Sequence, residues 1–477
     1  VNQFLKFLLV VVSSSLLYYF SSGFDTIWLF AWFAPIPVLV YAYQERFVQS
    51  ALATSIVSLA PGLNQLIGYW PTHIPAQGFV ISMLYSSIVW LTIVLLSRFV
   101  SRSLNSPVSM LAYPSLIALE EWLGSLGPQG SFGSISYSQL HFIPAIQIAA
   151  ITGFYGISFI LSLFASGITY AVFKRNIKHQ FYVGIGISFL SLAVDLGYGL
   201  YHIHQNHEQT NHSIKVGMVS IGRSPGFIFN SVNAQQALAS YKPYIDQLSK
   251  QGAQWVLLPE ESLTISNKNS QFITNQLTSI AKNNHIYLII GENVITANAR
   301  FNSALMIDPE GKILGTYQKR HFVPLVEVGI TPGKGILTFA INNLLGGIAI
   351  CRDMDYTYPA LNYGQAHANL LFVPAWDFLV DADVHDSGAI MRGVENGYTI
   401  VRNARAGYMS VSLATGKIIA RQLDINPKGT ILLADAPLSE HESYYAKHPH
   451  AFVIFLWFSL IGVCIALLRS FMIRKHT

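Results

Sequence analysis

The chain has 477 residues, of which 52% are hydrophobic and only 11% charged, with a mean hydropathy of +0.40. Ordinary soluble domains carry about 25% charged residues, so a wholly water-soluble chain is excluded. The formal net charge of +5 is unevenly placed: residues 1–200 and 449–477 hold ten Lys and Arg against five Asp and Glu, whereas residues 201–448 hold nineteen of each sign. A basic excess confined to apolar segments excludes nucleic acid as a partner. Two cysteines, Cys351 and Cys464, cannot build a disulfide framework. Cys464 falls in an apolar stretch, which leaves Cys351 for chemistry or packing.

A hydrocarbon core about 30 Å thick takes about 20 mostly apolar helical residues. Seven such stretches fill the first part of the chain, near 4–20, 24–43, 48–70, 78–99, 107–123, 145–173 and 181–201, and an eighth lies at 451–470. The first is followed at once by another apolar stretch, with no small-residue cleavage site ahead of a soluble domain, and reads as an uncleaved anchor. Short loops retain Lys and Arg on the cytoplasmic side. With eight spans, Lys6, Arg46, Arg98, Arg102, Lys174, Arg175, Lys178, Arg469, Arg474 and Lys475 all fall on one side. The pattern predicts a seven-span domain over 1–201 and an extracytoplasmic domain over 202–448. An eighth transmembrane helix with a basic cytoplasmic tail then occupies 449–477.

Few polar residues interrupt the spans. Glu120 and Glu121 near the end of span five and Asp195 in span seven are functional candidates because a carboxylate in lipid is expensive, and for the two glutamates a hydrated place at the outer interface is the plainer expectation. The Gly- and Ser-rich loop from 124 to 141 suits a segment at the membrane surface.

From Ser213 the pattern becomes short β-branched runs separated by amphipathic segments. Strands are expected at 214–219, 255–258, 286–291, 303–307, 345–351 and 370–374, and helices at 233–250 and 270–284. Such alternation predicts a layered α/β domain with a full core. Asn426-Pro427-Lys428-Gly429 has turn composition, and residues 438–450 form a polar linker. Within this domain Glu260, Lys319 and Cys351 stand out. Two of them end predicted strands, where α/β sheets collect reactive groups. Cysteine chemistry needs a thiolate, a base to generate it and a cation for the oxyanion. A buried structural Cys and a solvated Lys are the plainer alternatives at those positions.

Taken together, Leu258-Pro259-Glu260, Gly291-Glu292, Asn302-Ser303-Ala304, the run Tyr317-Gln318-Lys319-Arg320-His321-Phe322-Val323-Pro324, Cys351 and Arg392-Gly393-Val394-Glu395-Asn396-Gly397 form an ordered pattern. It resembles the nitrilase (carbon–nitrogen hydrolase) superfamily, which implies an α-β-β-α sandwich with a Glu-Lys-Cys triad. With apolar spans on both sides, and with Glu121-Trp122, Tyr137-Ser138-Gln139 and the run from Gly153 to Phe159, the chain resembles that superfamily's membrane-bound apolipoprotein N-acyltransferase family. The resemblance implies Glu260 as general base, Lys319 as oxyanion stabiliser and Cys351 as nucleophile. Glu327 and Asp353 match the family's further acidic residues, Trp376 and Glu395 fall in its motifs as supporting or substrate-binding positions, and Arg352 is a further such candidate by residue type alone. It also implies a bacterial inner membrane location with the catalytic domain on the periplasmic side. A phospholipid acyl donor and a diacylglyceryl-modified lipoprotein acceptor would be the partners, with ping-pong thioester chemistry between them and neither metal nor cofactor.

The nucleophile motif departs from the family's Cys-Tyr-Glu, reading Cys351-Arg352-Asp353. Arg352 is suited to hold a thiolate or a headgroup phosphate, or else pairs with Asp355. Asp381, Asp383, His385 and Asp386 form an acidic cluster, read as a metal site or, more simply, as a solvated loop. The segment 220–227 also differs from the family's pattern after the first strand. Three readings stay open: the lipoprotein N-acyltransferase, a relative using another amine or water as acceptor, and a silent membrane scaffold or transporter.

Overall fold

The computed structural model describes residues 2–70, 72, 76–206, 212–221 and 234–476. Residues 222–227, part of the departure noted above, lie outside these. The chain forms two compact units: residues 1–127, 131–204 and 448–477 make the first, and residues 128–130 with 205–447 make the second.

The first unit is helical. In chain order it contains α1 (Gln3–Tyr19), α2 (Phe30–Phe33), α3 (Pro35–Gln44), α4 (Phe47–Val57), α5 (Ala60–Tyr69), α6 (Ala76–Ser103) and α7 (Ala112–Ser125). Then come α8 (Ile143–Ile146), α9 (Ala149–Thr152), α10 (Phe154–Phe173), α11 (Lys178–Asn206) and a terminal helix Ala451–His476. Among the described residues, five helical runs have the length and apolarity to cross a bilayer: Phe47–Tyr69, Ala76–Ser103, Phe154–Phe173, Lys178–Asn206 and Ala451–Arg474. The remaining apolar stretches fold as shorter or divided helices. The stretch expected as one span from 145 to 173 is interrupted at Gly153, whose φ of +75° ends α9 before α10 begins. Glycine reaches that conformation without a Cβ clash.

Burial in α11 is the reverse of that in a water-soluble helix. Its buried positions are Gly184, Ser188, Ser191, Asp195, Gly199 and His202, spaced three and four apart on one face, while Phe189, Leu190, Val194 and Leu200 point outward. Small and polar residues inside with apolar residues outside is the distribution a hydrocarbon surround favours. Gly199 permits close approach, since a Cβ there would lie 1.9 Å from the Pro144 carbonyl oxygen. Glu121 accepts from Ser134 Oγ, Ser158 Oγ at 2.6 Å and Ile135 N, and so joins α7 to α10 and the segment between them.

Cations gather at one end of this unit. Lys6 lies 2.6 Å from Glu45, and Arg98 and Arg102 donate to the Ala42 and Tyr43 carbonyls at the end of α3. Lys174 donates to Asn105, and Arg474 to the Ser103 carbonyl where α6 ends. Carbonyls left open at helix C-termini attract cations.

The second unit is a four-layer sandwich. Its strands are β1 (Ser213–Ser220), β2 (Trp255–Leu257), β3 (Leu263–Ser266), β4 (Tyr287–Ile295), β5 (Arg300–Ile307), β6 (Ile313–Gln318), β7 (Leu337–Ile341), β8 (Leu344–Ile348), β9 (Leu370–Trp376), β10 (Thr399–Arg405), β11 (Tyr408–Ser412), β12 (Ile418–Leu423) and β13 (Thr430–Pro437). One sheet has the order β13-β1-β2-β4-β5-β6, with β3 beside β4, and the other β12-β11-β10-β9-β8-β7. Alternation along β4 shows how the layers form: Leu288 and Ile290 face α12 (Ala234–Lys250) and α13 (Ser270–Asn284), while Ile289 joins the core between the sheets. Trp255, Met218, Ile348, Phe372 and Val401 fill that inner core. Outside the second sheet lie α14 (Thr357–Gln365) and α15 (Ala382–Asn396); Tyr363 of α14 and Ala389 of α15 pack there with Leu371 and Val373 of β9.

Six strands and two helices fall where expected. The strand expected at 345–351, however, ends at Ile348, and Cys351 opens a 3-10 turn, Cys351–Asp355. Residues 438–450 are not a simple polar linker, because Leu438, Ser443 and Tyr445 are buried and α16 (Tyr444–Lys447) forms there.

Candidate active site

Asn403 of β10 pins the two sheets together. Its Nδ2 donates to the carbonyls of Val219 and Leu257, at 3.0 and 2.6 Å. Just beyond Leu257 the chain turns, and Glu260 N donates across to the Ala375 carbonyl of β9. Gly291 makes room for this turn: a Cβ there would lie 2.2 Å from the Pro259 oxygen and 2.6 Å from Glu260 Cα. Glu260 therefore sits where the carboxyl ends of β2 and β9 meet.

Lys319 follows β6 and is fully buried. Its Nζ donates to Glu260 Oε1 at 2.7 Å and to both oxygens of Glu327 at 2.8 Å. Asn302 Nδ2 donates to the same Glu260 oxygen at 2.6 Å and to Glu327 at 3.2 Å. Val323 N donates to Glu327 Oε2 at 2.7 Å, which ties the carboxylate to its own loop. That loop turns Leu325 and Val328 outward, 63% and 73% exposed, while Glu327 stays buried. The second oxygen of Glu260 has no hydrogen-bond partner among the described residues.

Cys351 has φ of +45°, a left-handed conformation that a residue with a side chain adopts at a cost of about 1–3 kcal/mol. Its Sγ lies 3.7 Å from the Trp376 carbonyl. Burial pushes the thiol's pKa well up, and the Glu260 carboxylate adds to this, with Lys319 opposing. At rest Cys351 is consequently a thiol. Burial also raises Glu260 against the pull of Lys319. For Lys319 burial acts to lower the pKa, but Glu260 and Glu327 outweigh it and keep the ammonium charged. One cation between two carboxylates leaves the cluster with a net negative charge, suited to taking a proton from the thiol rather than to storing a thiolate.

Asp353 is a hub of this site. Its two oxygens accept from Tyr317 Oη, Arg320 N, His321 N, His321 Nδ1 and Ile350 N, at 2.8 to 3.2 Å. These donors come from both sides, the end of the lysine strand and the approach to the cysteine turn. Asp353 thereby fixes Lys319 and Cys351 relative to each other.

Arg352 points inward. It is buried, with Nη2 donating to the Pro128 carbonyl and to Gln129 Oε1, each at 3.0 Å, and Nη1 3.7 Å from Asp355. Trp376 is buried beneath the Arg405 guanidinium, 4.6 Å from its ring centre. Glu395 lies in α15, fully buried and 3.0 Å from Arg392 of the same helix. The acidic cluster is no solvated loop: Asp381 and Asp386 are buried, Asp386 beside Arg421 at 2.9 Å and Ser410 at 2.6 Å. Nor do three or more of the described His, Cys, Asp or Glu side chains group as a metal site.

Sequence reasoning missed Asn302 as a bridge between Glu260 and Glu327, although its motif was noted. It also missed the bidentate pair Arg402–Asp377, at 2.6 and 2.9 Å, which anchors the residue after Trp376. No local signal marks a pair separated by 25 residues.

The family model for carbon-nitrogen hydrolase matches residues 217–461, and that for the apolipoprotein N-acyltransferase N-terminal domain matches residues 14–167. An apolipoprotein N-acyltransferase of Geobacter metallireducens is 23% identical over 425 residues, covering 82% of this chain and 80% of that protein. Apolipoprotein N-acyltransferase 2 of Treponema denticola is 25% identical over 371 residues, 64% of each chain. Among solved structures, an amidase from Nesterenkonia sp. has 18% identity and a TM-score of 0.43 over 51% of this chain and 96% of that one.

Proposed function

The chain belongs to the carbon-nitrogen hydrolase family, and from that premise we propose that it is a membrane-embedded lipoprotein N-acyltransferase. The observation that carries the reading is a pairing within one chain. A buried Glu-Lys-Glu cluster stands within electrostatic reach of Cys351, and the same chain carries a helical region matching the N-terminal domain of apolipoprotein N-acyltransferases.

In the first step Cys351 gives its proton to the free oxygen of Glu260 as Sγ attacks the sn-1 ester carbonyl of a phospholipid. Lys319 faces the oxyanion, and its charge is worth most in a site closed to water. The ester C–O bond breaks, the leaving alkoxide takes the proton from Glu260, and a lysophospholipid departs from a thioester. In the second step the α-amine of a diacylglyceryl-cysteine attacks the thioester and loses a proton to Glu260. The C–S bond breaks and the thiolate regains that proton. Thioester to amide is downhill, so no further energy source is required, and the kinetics are ping-pong. Glu327 keeps Lys319 charged and aimed, while Asp353 holds the two halves in register.

We also infer eight membrane spans, with the sandwich on the periplasmic side of a bacterial inner membrane. The convergence of Lys6, Arg98, Arg102, Lys174 and Arg474 on one end of the helical unit supports this orientation. Arg352, the departure at the nucleophile motif, is engaged by Pro128 and Gln129, so its difference from the family pattern does not favour another acceptor.

The test has two stages. Incubation with phospholipid should add the mass of one acyl chain to Cys351; a diacylglyceryl-cysteine peptide should then receive that chain as an amide. Release of free fatty acid with the peptide untouched would replace the transferase by a lipid hydrolase. Absence of any acyl adduct would remove the nucleophile assignment.

A further inference from the structure

Apart from the Glu-Lys-Glu cluster, the turn that carries Cys351 touches a second set of charges. Asp355 ends that turn, Asp381 ends the loop that follows β9, and His385 occupies the first turn of α15. His385 Nδ1 lies 3.7 Å from Asp355 Oδ1, and its Nε2 lies 3.3 Å from Asp381 Oδ2. Its side chain is 14% exposed, and both carboxylates are buried. A carboxylate facing each ring nitrogen favours the imidazolium, the one form that carries a proton on both. A cation in a helix's first turn opposes the helix dipole, so the two carboxylates must outweigh that cost.

The contacts continue in both directions. Asp381 Oδ1 accepts from Phe378 N at 2.9 Å, and His385 N donates to the Asp381 carbonyl at 3.0 Å. On the other side Arg352 stands 3.7 Å from Asp355 and holds Pro128 and Gln129. Other nearby charges have their own partners: Asp377 pairs with Arg402, and Asp383 and Asp386 with Arg421.

We propose that His385 is a positioning residue, a cation that locks the turn Cys351–Asp355 to the loop 377–381 and so fixes Sγ against Glu260 and Lys319. The inference rests on Cys351 being the nucleophile and is independent of which acceptor takes the acyl chain. The need for a brace is visible in the backbone, because Cys351 and Leu379, on the two segments joined, both have left-handed φ, +45° and +68°. Neither holds that conformation without surrounding contacts. Burial opposes the charge on His385, but Asp381 and Asp355 raise its pKa to about 10. For Asp355, burial is outweighed by His385 and Arg352, which lower its pKa. The histidine's contribution is complete below its ordinary value of 6.5 and is lost as pH rises through about 10.

The experiment compares acyl-enzyme formation from phospholipid in the wild-type protein, His385→Gln, Asp355→Asn and the double variant. Each single variant should slow acylation about 10–100-fold at saturating donor, with the half-saturating donor concentration unchanged. The double variant should be no slower than the slower single one, because both remove the same contact. Additive losses, an unchanged rate, or a fall explained by loss of folded protein in thermal melting would each overturn the proposal. Should the wild-type protein fail to acylate Cys351, the catalytic reading itself falls. Iodoacetamide alkylation of that thiol then reads the brace alone, and a rate unaltered in His385→Gln sinks it.

Discussion

The two units put their polar groups inside for opposite reasons. In the helical unit α11 buries Gly, Ser, Asp and His and turns Leu190 and Val194 outward. Burying apolar surface yields little when the surround is hydrocarbon, so close backbone approach and hydrogen bonds hold the helices together. In the sandwich, Val216, Leu257, Ile289 and Phe372 are fully buried, as water requires. Charges enter that interior at the strand ends, in compensated groups such as Lys319 with Glu260 and Glu327. An inward polar residue thus serves close packing in one unit, and an inward charge in the other is held by a partner of opposite sign.

The largest effect is expected at that buried charge group. Lys319→Ala leaves two carboxylates facing each other without a cation, which should destabilise the sandwich by about 3–5 kcal/mol and lower acyl-enzyme formation by at least about 100-fold. Thermal melting and adduct mass measure the two losses. A fully stable, active variant would mean that the interior tolerates charge as freely as water does.

The contrast itself can be tested with two leucines. Leu257→Ala, in the inner core, should cost about 2–5 kcal/mol, whereas Leu190→Ala, on the outward face of α11, should change stability in a bilayer-like detergent by less than about 0.5 kcal/mol. Equal losses in thermal melting would erase the distinction drawn between the units.

Asp353→Asn keeps the shape but weakens five hydrogen bonds that join the lysine strand to the cysteine turn. A loss of about 1–3 kcal/mol is expected, with acylation slowed about 100-fold by misplacement of Lys319 against Cys351. Retention of the wild-type acylation rate would show that the two segments hold their register without it.

The smallest effect concerns pH. Glu292 is buried on the helix-facing side of β4, and burial raises its pKa to about 8. Its folded form holds a proton more tightly than the unfolded chain, so stability declines as pH rises from about 4.5 to about 8. Glu292→Gln should therefore have a higher melting temperature than wild type at pH 8 and the same one near pH 4.5. The same advantage at both values would point to packing instead of titration.

Much of this was legible along the chain. The helix-forming stretches were visible because about 20 apolar residues in a row satisfy one local condition. Strands β1, β2, β4, β5, β8 and β9 were visible because buried strands read as short β-branched runs. The later strands were not: β12 reads Ile418-Ile419-Ala420-Arg421-Gln422-Leu423, a mixed edge strand whose pairing with β11 decides its state. Cys351 was expected to end a strand, and only its φ of +45° reveals a turn.

By itself the sequence determined that the chain has two physically different parts, and which residue types were available for cysteine chemistry, since both follow from composition and ordered motifs. Tertiary structure alone decided what each charge does. Arg352, a potential headgroup ligand by residue type, is spent on Pro128 and Gln129, and an apparent surface cluster became the bridge Asp355–His385–Asp381. The physical reason is that a charge takes its energy from what lies within a few ångströms, and residues 30 or 200 positions apart become neighbours only when the sheets close.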